Sequence, residues 1–184
     1  MRVVAGTARG TRLEGPPSEG TRPISDRAKE ALFNIFGRDV RNARFLDLFA
    51  GTGGVGIEAL SRGAAEAVLV EQDRAVVDVI KANLAKTRLA DRAVIERADV
   101  FSWLDRPVSA PFDLVFSGPP QWHELWGKSL AAIDERSETL LADGACVVLQ
   151  LDPREEGDEP PLEHLELLDV RRYGNVALRF YSVA

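Results

Sequence analysis

Short runs of consecutive apolar residues alternate along the chain with segments whose apolar positions recur every three to four residues. Residues 3–5 and 11–13 flank a glycine-containing turn and predict a small N-terminal hairpin. Residues 26–36 place Ala28, Leu32, Ile35 and Phe36 at helical spacing. Strands are predicted at 44–49, 67–71, 94–96, 112–116 and 145–151. Helices are predicted at 55–62, 75–84, 100–104 and 125–133, the second presenting Val76, Val77, Ile80 and Leu84 on one face. Residues 165–173 and 176–183, joined at Gly174-Asn175, read as a closing hairpin. This alternation predicts an α/β fold, a doubly wound, Rossmann-like sheet made mixed by its antiparallel end. No repeat or linker divides the chain, so residues 1–184 are expected to form a single domain with 1–20 as a hairpin arm.

Composition narrows the class. The chain has 184 residues, 45% hydrophobic and 28% charged, the balance of a globular protein. One cysteine and two histidines offer neither a disulfide framework nor metal-ligand spacing, so no metal is expected. No apolar run approaches the ~20 residues of a membrane span, and residues 1–10 carry no signal-peptide core. The expectation is a cytoplasmic monomer without membrane contact.

The net charge of −6 argues against a nucleic-acid partner until it is divided along the chain. Residues 1–44 hold nine basic and five acidic side chains (9 − 5 = +4), and the rest hold 14 and 24 (14 − 24 = −10). Residues 152–169 carry eight acids against Arg154 alone, and are expected to face away from substrate. A basic arm on an acidic body is a charge pattern suited to a polyanion.

The most informative run is LDLFAGTGGVG at 46–56. Gly51, Gly53 and Gly56 satisfy G-x-G-x-x-G between a predicted strand and a predicted helix, and Glu71 closes the next strand 20 residues past Gly51. Such glycines allow a tight turn, close approach of backbone to a ligand and close helix–sheet packing, while the acid accepts hydrogen bonds from ribose hydroxyls. Asp47 decides which nucleoside cofactor. A carboxylate beside the turn repels a pyrophosphate but attracts the ammonium and sulfonium of S-adenosylmethionine. Asp99, in Ala98-Asp99-Val100, would serve the adenine amino group, and it and Asp73 also read as helix N-caps. The expected cofactor set is Asp47, Phe49, Gly51, Thr52, Gly53, Glu71, Gln72, Asp99 and Val100.

The segment GTRPISDRAKEALFNI at 20–35 resembles the R-P-T-x-D-R-x-[RK]-E-x-[LV]-F-N signature of the bacterial small-subunit rRNA guanine-N2 methyltransferases, the RsmD type. DLFAGTG at 47–53 with GIEALSRGA at 56–64 is similar to that family's D-L-F-A-G-[ST]-G-x-x-G-x-E-A-L-S-R-G-A, and the two ends, RVVAG and YGNVAL, resemble it as well. The resemblance implies a class I methyltransferase fold, S-adenosylmethionine as donor and a guanine of small-subunit rRNA, naked or in the assembling 30S particle, as acceptor. A base in structured RNA must be extruded or presented in a loop and stacked. Arg2, Arg9, Arg12, Arg22 and Arg27 would then hold phosphates, with Arg22, Asp26 and Arg27 flanking the site. Ion pairs of Arg22 or Arg27 with Asp26 or Glu30 are the plainer alternative.

One departure matters. Where the family carries [DN]-P-P-[YF], this chain reads Gly118-Pro119-Pro120-Gln121. An Asp or Asn would accept a proton of the target amine and aim its lone pair, and the aromatic would stack on the base. Glycine has no side chain for the first task; Trp122, next in sequence, offers itself for the second. Three explanations stand open: Ser117 or His123 replaces the acceptor, with backbone carbonyls of Gly118 and Pro119 completing the grip; the chain binds cofactor and RNA but methylates weakly or not at all; or position 118 is a variant one. A non-catalytic ribosome-assembly protein and a nicotinamide oxidoreductase are the rival classes. A cytosine-C5 DNA methyltransferase would need Cys146 as nucleophile, and that residue lies in an apolar strand where thiols are usually inert.

Overall fold

The computed structural model describes residues 1–16, 24–121, 125–157 and 159–184. In chain order the elements are α1 (Asp26–Phe36), β1 (Arg44–Leu48), α2 (Gly54–Ser61), β2 (Glu66–Glu71), α3 (Arg74–Thr87), β3 (Ala93–Arg97), α4 (Val100–Leu104), β4 (Phe112–Ser117), α5 (Leu125–Glu135), α6 (Ser137–Leu140), β5 (Leu141–Leu151), β6 (Leu165–Tyr173) and β7 (Val176–Val183). The strands form one seven-stranded sheet in the order β3-β2-β1-β4-β5-β7-β6. β1 to β5 run parallel, and β7 is antiparallel to both β5 and β6. The strand order reverses between β1 and β4, and at such a switch point the connections leave in opposite directions and open a crevice beyond the carboxyl ends.

Two apolar layers cover the sheet. Leu32, Phe33 and Phe36 of α1, Ile57 and Leu60 of α2, and Ile80 and Leu84 of α3 pack on one face. Val100 and Trp103 of α4 with Trp126, Leu130 and Ile133 of α5 pack on the other. Local chemistry sets the helix starts: Ser25 Oγ accepts the Ala28 N–H at 3.2 Å, and Asp73 Oδ1 accepts the Ala75 N–H at 2.7 Å. Among the described residues no helix is long and apolar enough to cross a membrane.

Three details differ from the sequence expectation. Ile35 is 44% exposed, because the buried face of α1 turns toward Lys29 and Phe33. β5 begins at Leu141 instead of 145; the register with β4 shifts between Phe112 and Leu114, and Gly144 at φ 73° absorbs the irregularity that the polar stretch Ala142–Gly144 concealed. The N-terminal hairpin closes through a single antiparallel bridge, Arg2 to Arg12, with Val3 N–H donating to Thr11 O and Gly10 N–H to Val3 O.

That hairpin is stitched to α2. The buried Glu58 carboxylate accepts the Val4 and Ala5 N–H groups at 2.8 and 2.9 Å, and pairs with Arg62 Nε at 2.8 Å and Lys29 Nζ at 3.5 Å. Lys29 donates to the Arg2 carbonyl at 2.6 Å, and burial pushes its pKa down against the pull of Glu58. Lys29 is therefore an internal strut, although it counts among the nine basic residues of 1–44. At Gly6, φ 82°, a Cβ would stand 1.8 Å from the Ser61 carbonyl oxygen, so only glycine permits this approach. Asn83 of α3 is wholly buried; it accepts the Glu14 N–H at 2.7 Å and donates to Glu14 O at 3.1 Å and Thr52 O at 3.0 Å.

The acidic stretch leaves β5 at the edge where the crevice lies and returns along α5 to β6. Asp134 of α5 accepts the N–H groups of Glu163, His164 and Leu165, Glu159 accepts from Arg179 and the Tyr181 hydroxyl, and Glu156 pairs with Arg172 at 2.5 Å. Much of its charge is thus met within the protein.

Candidate functional site

A cleft of about 260 Å³ lies over the carboxyl ends of β1, β2 and β4. β1 ends in a sharp turn: Phe49 takes φ 58° and Gly51 φ 53°, and Gly53 opens α2 at φ 82°. A Cβ at Gly51 would meet nothing within 4 Å, so this backbone faces open space, whereas one at Gly56 would meet Leu69 at 3.0 Å and Asp47 Oδ2 at 3.1 Å. The first glycine bares the turn; Gly56 lets helix and sheet close together.

Carboxylates set the electrostatics. Asp47, Glu71, Asp73 and Asp99 line the cleft, and no lysine or arginine is among the described lining residues. Glu71 Oε2 accepts the Gly51 N–H at 3.0 Å and Oε1 the Asp73 N–H at 2.9 Å, which fixes the carboxylate across the turn with lone pairs remaining on both oxygens. Asp99 Oδ1 accepts the Ser102 N–H at 2.9 Å and caps α4. Asp47 is 1% exposed; burial pushes its pKa up to about 8, opposed by the Gly56 N–H at 2.8 Å and assisted by Glu71. A buried acid at the floor of an acid-lined cleft fits a cationic ligand and disfavours a pyrophosphate.

The structure gathers most of the sequence-predicted cofactor positions here. Asp47, Phe49, Gly51, Thr52, Glu71, Gln72, Asp99 and Val100 line the cleft, while Gly53 lies beneath it, its missing Cβ facing Ile57 and Leu69. Gly118 and Pro120 form part of the wall; Pro119 and Gln121 are not among the lining residues. Gly118 N–H donates to Leu48 O at 3.3 Å, which ties this loop to β1.

Other expectations are corrected. Ser117 cannot replace the missing acceptor, because it is fully buried and its hydroxyl shares a 2.7 Å hydrogen bond with Ser129 of α5. Asp26 pairs with Arg2 at 2.9 Å, and among the described residues no ion pair joins it to Arg27. Arg2, Arg12 and Arg27 are exposed, near the end of the hairpin and helix that adjoins the cleft. Arg9 lies away from it, in the hairpin turn beside Ser61 at the last residue of α2. Arg22, Trp122 and His123 fall outside the described residues. Cys146 is only half-buried, but its thiol is pushed up to about 11, by burial first and then by Asp39, and it does not line the cleft.

Several lining residues escaped the sequence reading. Met1, Pro16 and Ile24 build one wall, and the Met1 sulfur fills the place of a Cβ at Gly54, 2.4 Å from that position. Phe116 and Gln150 line the opposite end. The signal for Gln150 was a polar residue near the carboxyl end of an otherwise apolar strand, where ligands of doubly wound sheets bind.

Comparison with known proteins agrees with this geometry. The family model described as Conserved hypothetical protein 95 matches residues 1–182. The chain is 35% identical over 182 residues to ribosomal RNA small subunit methyltransferase D of Escherichia coli K12, covering 99% of this chain and 89% of the relative. The protein of the same name from Haemophilus influenzae is 33% identical, with 99% and 93% covered. The solved structure of Escherichia coli yhhF superposes with a TM-score of 0.86 at 33% identity, spanning 100% of this chain and 97% of that one.

Proposed function

The chain belongs to the Conserved hypothetical protein 95 family, a family of class I S-adenosylmethionine-dependent methyltransferases that includes the small-subunit rRNA methyltransferase D proteins, and we propose that it methylates the exocyclic N2 of a guanine in small-subunit rRNA. The observation that carries this reading is an acid-lined cleft shared by the glycine turn and by Gly118 and Pro120 of the proline loop.

S-adenosylmethionine supplies, when bound, a methyl carbon made electrophilic by its sulfonium. Glu71, already fixed by two backbone N–H groups, would accept the ribose hydroxyls. The second oxygen of Asp99 would accept from the adenine amino group, and Asp47 would face the ammonium. Met1, Pro16 and Ile24 would exclude water from one side. The prolines hold the acceptor loop stiff, so that positioning of the amine supplies much of the rate. Arg2, Arg12 and Arg27 would meet the phosphates of the RNA or of the assembling particle, while the paired carboxylates of the acidic stretch would repel it little.

Two measurements test the reading. Calorimetry is expected to show binding of S-adenosylmethionine and none of NAD. Labelled methyl transfer to partly assembled small subunits, followed by nuclease digestion, is expected to place the label on guanine N2. The absence of a side chain at Gly118 favours one rival, a cofactor- and RNA-binding assembly protein without catalysis. That rival predicts a silent wild type and an active Gly118→Asp variant.

A further inference from the structure

The acceptor end of the cleft lacks the side chain that would grip an amine, and a neighbouring strand presents one that has nothing to grip. Ser117 of β4 is the register partner of Leu149 of β5, so the next residues, Gly118 and Gln150, lie side by side at the carboxyl edge. Adjacent strands stand ~4.8 Å apart and side chains alternate between faces. Phe116 and Val148 both pack in the layer with α1, while Leu149 packs in the other and Ser117 bonds α5. Position 118 and Gln150 therefore share the face of Phe116 and Val148. Gln150 and Gly118 both line the cleft.

Gln150 Oε1 is buried and accepts no hydrogen bond. An orphaned carbonyl oxygen typically costs about 1–3 kcal/mol, and native proteins keep such groups mainly where a ligand or water completes them. β7, on the other side of β5, offers Leu178 opposite Gln150 and brings no polar side chain to that register position. Gln150 lines the cleft beside the one position where a side-chain acceptor is missing, and a turn of its carboxamide brings the closed-off Oε1 to a ligand there.

Resting on the methyltransferase reading above, we infer that Gln150 Oε1 accepts a hydrogen bond from the exocyclic amine and takes the part that an Asp or Asn at position 118 would play. The carboxamide holds the amine with its lone pair toward the methyl carbon. As the N–C bond forms from that lone pair, the S–C bond breaks with its electron pair returning to sulfur, and the nitrogen releases one proton to water. The amide oxygen is far too weak a base to keep that proton, so Gln150 is a hydrogen-bond acceptor throughout and not a general base. Gly118 gives the base room beside it.

The test uses the full chain, S-adenosylmethionine and unmethylated small subunits. Gln150→Leu is expected to lower kcat by about a hundredfold, as loss of one well-placed transition-state hydrogen bond does, with affinities for cofactor and subunit within twofold of wild type. The double variant Gln150→Leu/Gly118→Asn returns an acceptor to the same edge and is expected to recover at least tenfold of that loss. Gln150→Glu retains activity but adds an acidic limb to the kcat profile at saturating cofactor, where the Asp47 dependence of binding no longer contributes. A Gln150→Leu variant with unchanged kcat, or one that loses cofactor affinity instead, overturns the assignment and leaves the function standing. A wild type that labels no small-subunit guanine overturns both. Should Gln150→Leu not fold, absence of the new acidic limb in Gln150→Glu sinks the proposal on its own.

Discussion

The two ends of the cleft are built on opposite plans. At the β1–β2 end every carboxylate whose role can be followed is already held by backbone: Glu71 by Gly51 and Asp73, Asp99 by Ser102, Asp47 by Gly56. At the β4–β5 end a side chain is missing at Gly118 and the Gln150 carbonyl is without a partner. One end is preorganised by its own chain; the other is completed only by what enters it. Rigidity before binding favours affinity, whereas an interaction made only during reaction favours rate. Substitutions at the first end should therefore change cofactor binding, and at the second turnover.

The largest effect should come from Glu71→Ala, which removes the carboxylate across the glycine turn and leaves the Gly51 N–H unpaired. We expect cofactor affinity to fall about a hundredfold, from two charge-assisted hydrogen bonds of ~1.5 kcal/mol each. Unchanged affinity in calorimetry would erase the contrast between the ends.

Next comes pH. Burial holds Asp47 protonated up to about 8, and a cation is attracted only to its ionised form. Affinity for S-adenosylmethionine should therefore rise by about tenfold per pH unit while the group titrates, and level off above that pH. Asp47→Asn should flatten the dependence. The stability of the cofactor-free chain has the opposite trend. Folding retains a proton that the unfolded carboxylate has lost, so thermal stability declines as pH rises from the ordinary carboxylate range toward about 8.

Gly118→Asn probes the other end and should change kcat less than about tenfold if Gln150 already supplies the acceptor, because a second hydrogen bond to the amine adds little. Its Cβ would meet Phe116 Cε1 at 3.0 Å, so the ring must shift a few tenths of an ångström. Cofactor affinity should not move. The smallest effect is expected from Arg12→Ala, which should weaken subunit binding two- to threefold and reduce the salt slope by about one, the signature of a single phosphate contact.

The order of strands and helices was legible because each apolar run is bounded by polar or glycine punctuation, and the glycine turn with Glu71 was legible because its geometry depends on neighbours in sequence. Ile35 and the start of β5 were not: the first depends on how α1 rolls on the sheet, the second on a bulge. Lys29 counts toward the +4 of residues 1–44 yet is a buried partner of Glu58, because a sum of signs does not tell a surface charge from an internal one. Ser117 was a reasonable substitute for the missing acceptor until strand alternation turned it toward Ser129. The sequence marked Gln150 only as a polar residue ending an apolar strand; its pairing with position 118, more than thirty residues away along the chain, needed the register.

Asn83 has a temporal consequence. It ties the hairpin's tail at Glu14 to the glycine loop at Thr52 through partners 69 and 31 residues away. Closing contacts of that span costs chain entropy before it returns any stabilisation. During synthesis the hairpin can settle on α2 through Glu58, but its tail at Glu14 must wait for this amide until α3 has left the ribosome. The tail that leads to Pro16 and the glycine turn are then fastened by the same amide in the same step, before the β4–β5 end of the cleft has been synthesised.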